Sequence, residues 1–250
     1  MVNVIILAAG KGTRLRPYTL DCPKCMVKID GKSLIDRQLA ILDNKSVDEI
    51  VIIGGYKIEM LKGKGDRLKE NFRYYETNMV WTLFSAEEEL EGEIIVSYGD
   101  IVYSKEILKA LLNSKADISV VIDKDWERYW KSRNDNPLDD AETLKLKKDG
   151  RITEIGQKPQ SIAEIEGQYI GLMKFSHTGV DQIKEIFHNS MKTGKLNGKS
   201  IENAYMTDLL QAAINAEIDV TSVPVHAGWV EVDTVEDLKS SVTSDRLKML

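Results

Sequence analysis

The residues from Leu7 through Pro17 read LAAGKGTRLRP. Two glycines, two arginines and a lysine crowd into one short span, with Pro23-Lys24 close behind. Glycine lets a backbone approach an anion and turn its N–H groups inward, and the cations neutralise what binds. The chemistry this spacing suits is phosphate binding. It is not a Walker loop, because no Gly-x-x-x-x-Gly-Lys-Ser/Thr occurs. Nor is it the dinucleotide fingerprint: in Gly10-x-Gly12-x-x-Leu15 a leucine stands at the third glycine. The next apolar run ends in Gly54-Gly55-Tyr56, without an acidic residue for a ribose.

Two aspartates are candidate metal ligands. Asp100 follows an apolar run and Gly99, where open α/β sheets bind ligands, and Mg²⁺ takes one or two carboxylates plus substrate phosphates. The plainer alternative is a turn cap. Asp233 lies in Trp229-Val230-Glu231-Val232-Asp233-Thr234, where alternation puts Glu231 and Asp233 on one face. Thr234-x-x-Asp237 predicts a capping box, so Asp233 sits at a strand-to-helix junction and also suits the helix dipole. Cys22 and Cys25 form a C-x-x-C, but two thiols are half a structural zinc shell and no histidine is near in sequence. They are expected to be inert thiols flanking Pro23-Lys24.

The elements that position these residues alternate. Val2–Leu7 is a short β-branched run that predicts a buried parallel strand. Ser33-x-x-Asp36 opens a helix to about Leu42, and further strands are expected at 49–53, 72–76, 93–98 and 118–122. Helices are expected after Asn78 and after Ser104. This is a doubly wound, mostly parallel, Rossmann-like α/β pattern. The rhythm changes after Asp123. A polar, aromatic stretch is followed by short strands near 144–147, 152–155 and 168–175, then helices at about 178–191 and 204–216, and a last strand at 219–225. The expected organisation is one domain over 1–250 with a small mixed-sheet insertion at about 124–175.

With 250 residues, 42% of them hydrophobic, the chain can build a full α/β core. Its formal net charge of −6 argues against a nucleic-acid partner, so the N-terminal cations form a local site. The opening apolar run is too short to span a membrane and lacks the flanks of a signal peptide, which predicts a soluble, cytoplasmic protein without a membrane partner.

Taken whole, LAAGKGTRLRP followed by Pro23-Lys24 resembles the opening signature of the nucleotidyltransferases that activate sugars and phospho-alcohols, L-A-A-G-x-G-[ST]-R-[LM]-x-P and then P-K. The resemblance implies a nucleotide-diphospho-sugar transferase type of fold, an NTP, Mg²⁺ and pyrophosphate release. It implies that Arg14 and Lys24 hold the phosphates, with Lys11 a weaker candidate, and that Asp100 and Asp233 share the metal. The nucleotide would lie along Leu7, Ala8, Ala9, Gly10, Lys11, Gly12, Thr13 and Arg14, with Gly55, Tyr56, Asn78 and Asp100. Thr77-Asn78-Met79-Val80-Trp81-Thr82-Leu83 resembles the N-x-x-[YW]-[ST]-L segment of phosphocholine and phosphonate cytidylyltransferases. The expectation is therefore CTP and a small phosphorylated or phosphonate acceptor bearing an amine or amide. The product would serve surface polysaccharide or lipid modification. Lys24, Trp81, Trp126, Trp130, Tyr169, Tyr205 and Glu231 are expected around the acceptor, because aromatic faces with an acid suit an ammonium. A sugar-1-phosphate nucleotidyltransferase and a catalytically inactive nucleotide sensor are the alternatives. Completeness of the Arg14, Lys24, Asp100 and Asp233 set speaks against the sensor. A homodimer is left open.

Overall fold

Alternation along the first strand decides how the middle of the molecule is built. In a computed structural model, which describes residues 1–250, Val2–Ala8 (β1) sends Val4, Ile6 and Ala8 to one face and Ile5 and Leu7 to the other. Both faces are buried. A strand covered on both sides reads as a continuous apolar run, which is why the N-terminus lacks the polar alternation of a surface strand.

Six more strands join it: β2 (Val47–Gly54), β3 (Arg67–Glu70), β4 (Ile94–Tyr98), β5 (Ile118–Asp123), β6 (Gln168–Phe175) and β7 (Val220–Val225). The sheet order is β7-β5-β6-β4-β1-β2-β3. Only β6 runs antiparallel, wedged between β4 and β5. The rest are parallel, as the βα rhythm predicts.

Eight helices complete the chain: α1 (Leu34–Leu42), α2 (Met79–Phe84), α3 (Lys105–Asn113), α4 (Trp126–Arg133), α5 (His177–Thr193), α6 (Met206–Asn215), α7 (Val235–Lys239) and α8 (Ser241–Lys248). Ser33 accepts from Asp36 N–H and Ser104 from Ile107 N–H, so both predicted caps form. No helix is long and apolar enough to cross a membrane.

Two expectations are corrected. The strand expected at 72–76 is a series of turns, with Phe72 76% exposed. Asn71 starts it: its side chain accepts from Arg73 N–H, a local turn that outcompetes the aromatic run's β-propensity. The strand lies just before, at β3. Its charged sequence misleads because it is an edge strand, decorated by Lys69–Glu88 and Arg67–Glu89 ion pairs. The segment 124–175 also divides. Residues 168–175 are β6, inside the main sheet; outside it lie α4 and an antiparallel pair, Leu144–Leu146 with Ile152–Ile155.

Parallel strands bring their carboxyl ends to one side, where the loop after β1 and the Gly99-Asp100 turn after β4 are neighbours. Gly99 lies against β1, and its N–H donates to Leu7 C=O. A Cβ on Gly99 would stand 2.9 Å from that carbonyl oxygen, closer than carbon and oxygen tolerate. Gly99→Ala is therefore expected to lower unfolding free energy by about 1–3 kcal/mol, the usual cost of overpacking. Urea titration checks it, and an unchanged midpoint would mean that the β1–β4 approach is looser than described.

Candidate active site

The loop after β1 owes its shape to Gly12. Its φ is +58°, a left-handed conformation that side chains resist, and a Cβ there would meet Lys24 Cβ at 2.9 Å. Thr19 Oγ1 donates to Gly12 C=O at 2.7 Å, and Tyr56 N–H donates to Ala9 C=O at 3.1 Å. The loop is thus tied at both ends, and Lys24 packs directly against it.

Lys24 reaches the centre. Its Nζ lies 2.5 Å from Asp100 Oδ2 and 2.5 Å from Asp233 Oδ1. Burial alone would pull its pKa down, but Asp100, Asp233 and Glu231 hold it above the ordinary lysine range. Arg14 pairs with the other Asp233 oxygen while its own side chain stays 63% exposed. The four residues of the expected set therefore converge, although they come from widely separated parts of the sequence.

Buried polar clamps fix the two aspartates. Gln38, fully buried, donates from Nε2 to Tyr98 C=O at 2.8 Å and Ile101 C=O at 2.6 Å, and accepts from Ser97. That clasps both sides of the Gly99-Asp100 turn. Behind Asp233, the Asp237 carboxylate accepts from the N–H groups of Asp233 and Thr234, each at 3.0 Å, and Thr234 accepts from Asp237 N–H, completing the predicted box.

The donor set fits Mg²⁺. Two carboxylates converge on one point, and Asp100 Oδ1 is buried without a partner, a vacancy in hydrogen bonding that a cation would fill. No third carboxylate, histidine or thiol joins them, so the set does not suit a structural zinc ion. Cys22 and Cys25 are free thiols, and burial pushes Cys25 up to about 12, leaving it protonated at neutral pH and unsuited to binding metal.

A cleft of about 260 Å³ opens beside this group. Leu7, Ala8, Ala9, Gly10, Gly12, Thr13, Arg14, Lys24, Asn78, Asp100 and Asp233 line it, as the sequence led one to expect. Three expected nucleotide residues do not. Lys11 points over the Tyr74 ring, 5.8 Å from its centroid. Gly55 packs under Tyr74, and Tyr56 turns its hydroxyl to Leu20 C=O at 2.6 Å, so both back the loop from behind. Tyr74, Thr77, Thr82 and Tyr98 line the cleft and were missed. Buried Asn71 donates to both threonine hydroxyls at 3.0 Å, an arrangement no local pattern announces. Tyr98 had a signal as the last residue before Gly99-Asp100, and Thr82 had one as the [ST] of the N-x-x-[YW]-[ST]-L segment.

A second cavity, about 190 Å³, meets the cleft at Arg14, Met79, Tyr98 and Asp233. Trp130, Tyr169, Tyr205 and Glu231 line it as expected; Trp81 and Trp126 do not. Trp81 carries Arg73 on its face at 4.5 Å, and Trp126 packs edge-on against Trp130 in the core. The expected aromatic box for a ligand cation is already filled from within. Arg133 lies over Tyr129 and Trp130, pairs with Glu231 at 2.8 Å, and pairs with Asp237 at 2.8 Å. Glu231 is therefore a structural partner before it is a recognition group. The sheltered carboxylate left over is Glu142, which sequence reading passed by.

Burial is the main cause that pushes Glu142 up to about 7; Lys199 opposes it and Asp208, Asp140 and Glu231 reinforce it. Between the ordinary glutamate range and about 7, the folded protein keeps a proton the unfolded chain has lost, so stability falls as pH rises through that window. Glu231 is raised as well, chiefly by burial, and adds the same sign. The protein alone is expected to melt higher at pH 5 than at pH 7.5, with a shallower slope in Glu142→Gln. Scanning calorimetry across that range checks it; a rising slope would contradict the burial of Glu142.

Residues 4–163 match the family model described as a MobA-like NTP transferase domain. The chain is 38% identical over 252 residues to the CTP:phosphoglutamine cytidylyltransferase of Campylobacter jejuni, covering 96% of this chain and 99% of that one. It is 27% identical over 247 residues to the 2-aminoethylphosphonate cytidylyltransferase of Lancefieldella rimae, covering 94% and 90%. Its fold is similar to the solved CTP:phosphocholine cytidylyltransferase from Streptococcus pneumoniae, with a TM-score of 0.75 at 23% identity over 98% of each chain. A family model spanning most of the sequence and a relative matched end to end show that this chain belongs to the MobA-like NTP transferase family, as a nucleotidyltransferase of the cytidylyltransferase type.

Proposed function

We propose that this chain transfers CMP from CTP to the phosphate or phosphonate of a small amine- or amide-bearing acceptor, releasing pyrophosphate. One observation carries the reading: the cleft and the second cavity meet where Arg14, Lys24, Asp100 and Asp233 converge. Nucleotide and acceptor would approach that junction from opposite sides, as an in-line displacement at the α-phosphorus requires. The relatives' acceptors, phosphoglutamine and 2-aminoethylphosphonate, are of the proposed kind. The whole chain would act as one domain, in the cytoplasm.

The acceptor needs no general base. A phosphate monoester has its second pKa near ~6 and is already ionised at neutral pH. What the protein must supply is orientation and charge neutralisation for two anions brought together. The loop from Ala8 to Arg14 presents backbone N–H groups and the Arg14 guanidinium to the nucleotide phosphates, with Lys24 beside them. Asn78, Thr77 and Thr82 offer hydrogen-bonding groups along the same cleft for the base and sugar. Mg²⁺ held by Asp100 and Asp233 would add neutralisation of the phosphate charge.

Pyrophosphate release with CTP, dTTP, GTP and UTP, each offered phosphoglutamine, phosphocholine, 2-aminoethylphosphonate and glucose-1-phosphate, tests the reading. Turnover confined to CTP with an aminated or amidated acceptor is expected. Turnover only with glucose-1-phosphate and another NTP would replace it by the sugar-activating alternative. Asp100→Asn is expected to lower kcat at least about a hundredfold, as loss of a metal ligand worth several kcal/mol implies at ~1.4 kcal/mol per decade. A near-normal rate at saturating Mg²⁺, with an unchanged melting temperature, would remove Asp100 from the site.

A further inference from the structure

We propose that Glu142 binds an ammonium group of the acceptor and that Lys199, beyond it, receives a carboxylate, so that the acceptor is a phosphorylated zwitterionic amino acid. The inference rests on the cytidylyltransferase reading and on the second cavity being the acceptor's. That cavity does not end at its own walls. Asp140 and Glu142 also line an adjoining polar groove of about 410 Å³, whose lining includes Asp139, Lys158, Asn197, and Lys199 with its partner Asp208. Cavity and groove thus share the wall on which Glu142 stands.

Glu142 is held as a receptor would be. Its main chain is clamped by Gln168, which is 4% exposed: Glu142 N–H donates to Oε1 at 3.2 Å, and Nε2 donates back to Glu142 C=O at 2.5 Å. Its carboxylate makes no hydrogen bond or ion pair within the chain. The other sheltered carboxylates here are all matched. Asp233 has Lys24 and Arg14, Glu231 has Arg133, and Asp208 has Lys199. A partly desolvated, unmatched carboxylate is costly unless a ligand supplies the missing charge. A second unmatched group lies in the same cavity wall: Trp130 is 4% exposed, and its indole N–H has no acceptor.

Lys199 completes the pattern. Its Nζ spends one donor on Asp208 at 2.9 Å and lies 4.6 Å from the Tyr205 ring centroid, while the side chain stays 43% exposed. An ammonium has three donors, so others remain. Moving outward from Arg14, the protein offers positive, negative and positive charge. The complementary molecule carries phosphate, ammonium and carboxylate in that order. A neutral acceptor leaves Glu142 unmatched, and a purely cationic one meets Lys199.

Three probes separate the terms, using the full chain with saturating CTP and Mg²⁺: glutamine phosphorylated on its side-chain amide, its α-deamino analogue and its α-decarboxy analogue. The wild-type enzyme is expected to prefer the parent over each analogue at least about tenfold in kcat/KM. Glu142→Gln should raise KM for the parent at least about tenfold, leaving KM for CTP and for the deamino analogue within about twofold. Equal use of all three probes by the wild type, or an equal loss on parent and deamino analogue in Glu142→Gln, would overturn the assignment while leaving the cytidylyltransferase reading in place. Absence of CTP-dependent pyrophosphate release with every probe and with phosphocholine would overturn that reading, and this assignment with it.

Discussion

Everything at the centre of this molecule depends on one ammonium group held between two carboxylates. Asp100 follows β4 and Asp233 follows a short strand, Trp229–Glu231, and both face the same point. Two like charges so placed repel each other unless a cation lies between them. Lys24 supplies it, 2.5 Å from each. Removing one partner of such a sheltered group strands the others, which costs about 3–5 kcal/mol in comparable cases. The ion group therefore joins the N-terminal loop, the β4 end and the C-terminal segment at the site, above the apolar core they share. In the proposed reaction the same charges change partners: Lys24 and Arg14 turn to phosphate, and the aspartates turn to metal.

That exchange needs charged groups held in place while their partners change. The structure meets this by fastening backbone rather than side chains. Gln38 clasps the carbonyls on either side of Gly99-Asp100, and Asp237 collects the N–H groups of Asp233 and Thr234. Asp237 is in turn held by Arg133, whose guanidinium is enclosed by Tyr129 and Trp130. The clamps are buried and make no direct use of the cleft, so their hydrogen bonds persist whichever state the site is in.

How much of this was legible follows from the range of each interaction. The buried strands announced themselves because burial on both faces forces an unbroken apolar run, and the helix starts did so because Ser33, Ser104 and Thr234 cap within three residues. The glycine-rich loop that lines the cleft was legible because one contiguous segment builds it. The edge strand β3 was not, since its residues are selected for solvent and ion pairs rather than for apolar packing. The aromatic box was misread for a different reason. Composition showed that Trp126, Trp130 and Glu231 would suit a cation, but it could not show that Arg133, two turns along the same helix from Trp126, is the cation. Glu142 gave no signal at all, because an unmatched carboxylate is defined by what surrounds it.

The same division separates the two halves of the chemistry. The cleft proposed for the nucleotide is assembled from the β1 loop, the turn after β4, the start of α2 and Asp233, which follows the short strand Trp229–Glu231. The half that faces the second cavity draws on Trp130, Glu142 and Tyr205, from the segment between β5 and β6 and from the residue preceding α6. Those segments lie outside the parallel strands, and of the three residues only Trp130 reaches back to Asp233, through Arg133 and Asp237. The two halves touch only at Arg14, Met79, Tyr98 and Asp233. In the proposed reaction the cleft would carry the phosphate chemistry, and the acceptor would be recognised by charges such as Glu142 and Lys199 rather than by the loop that marks the family.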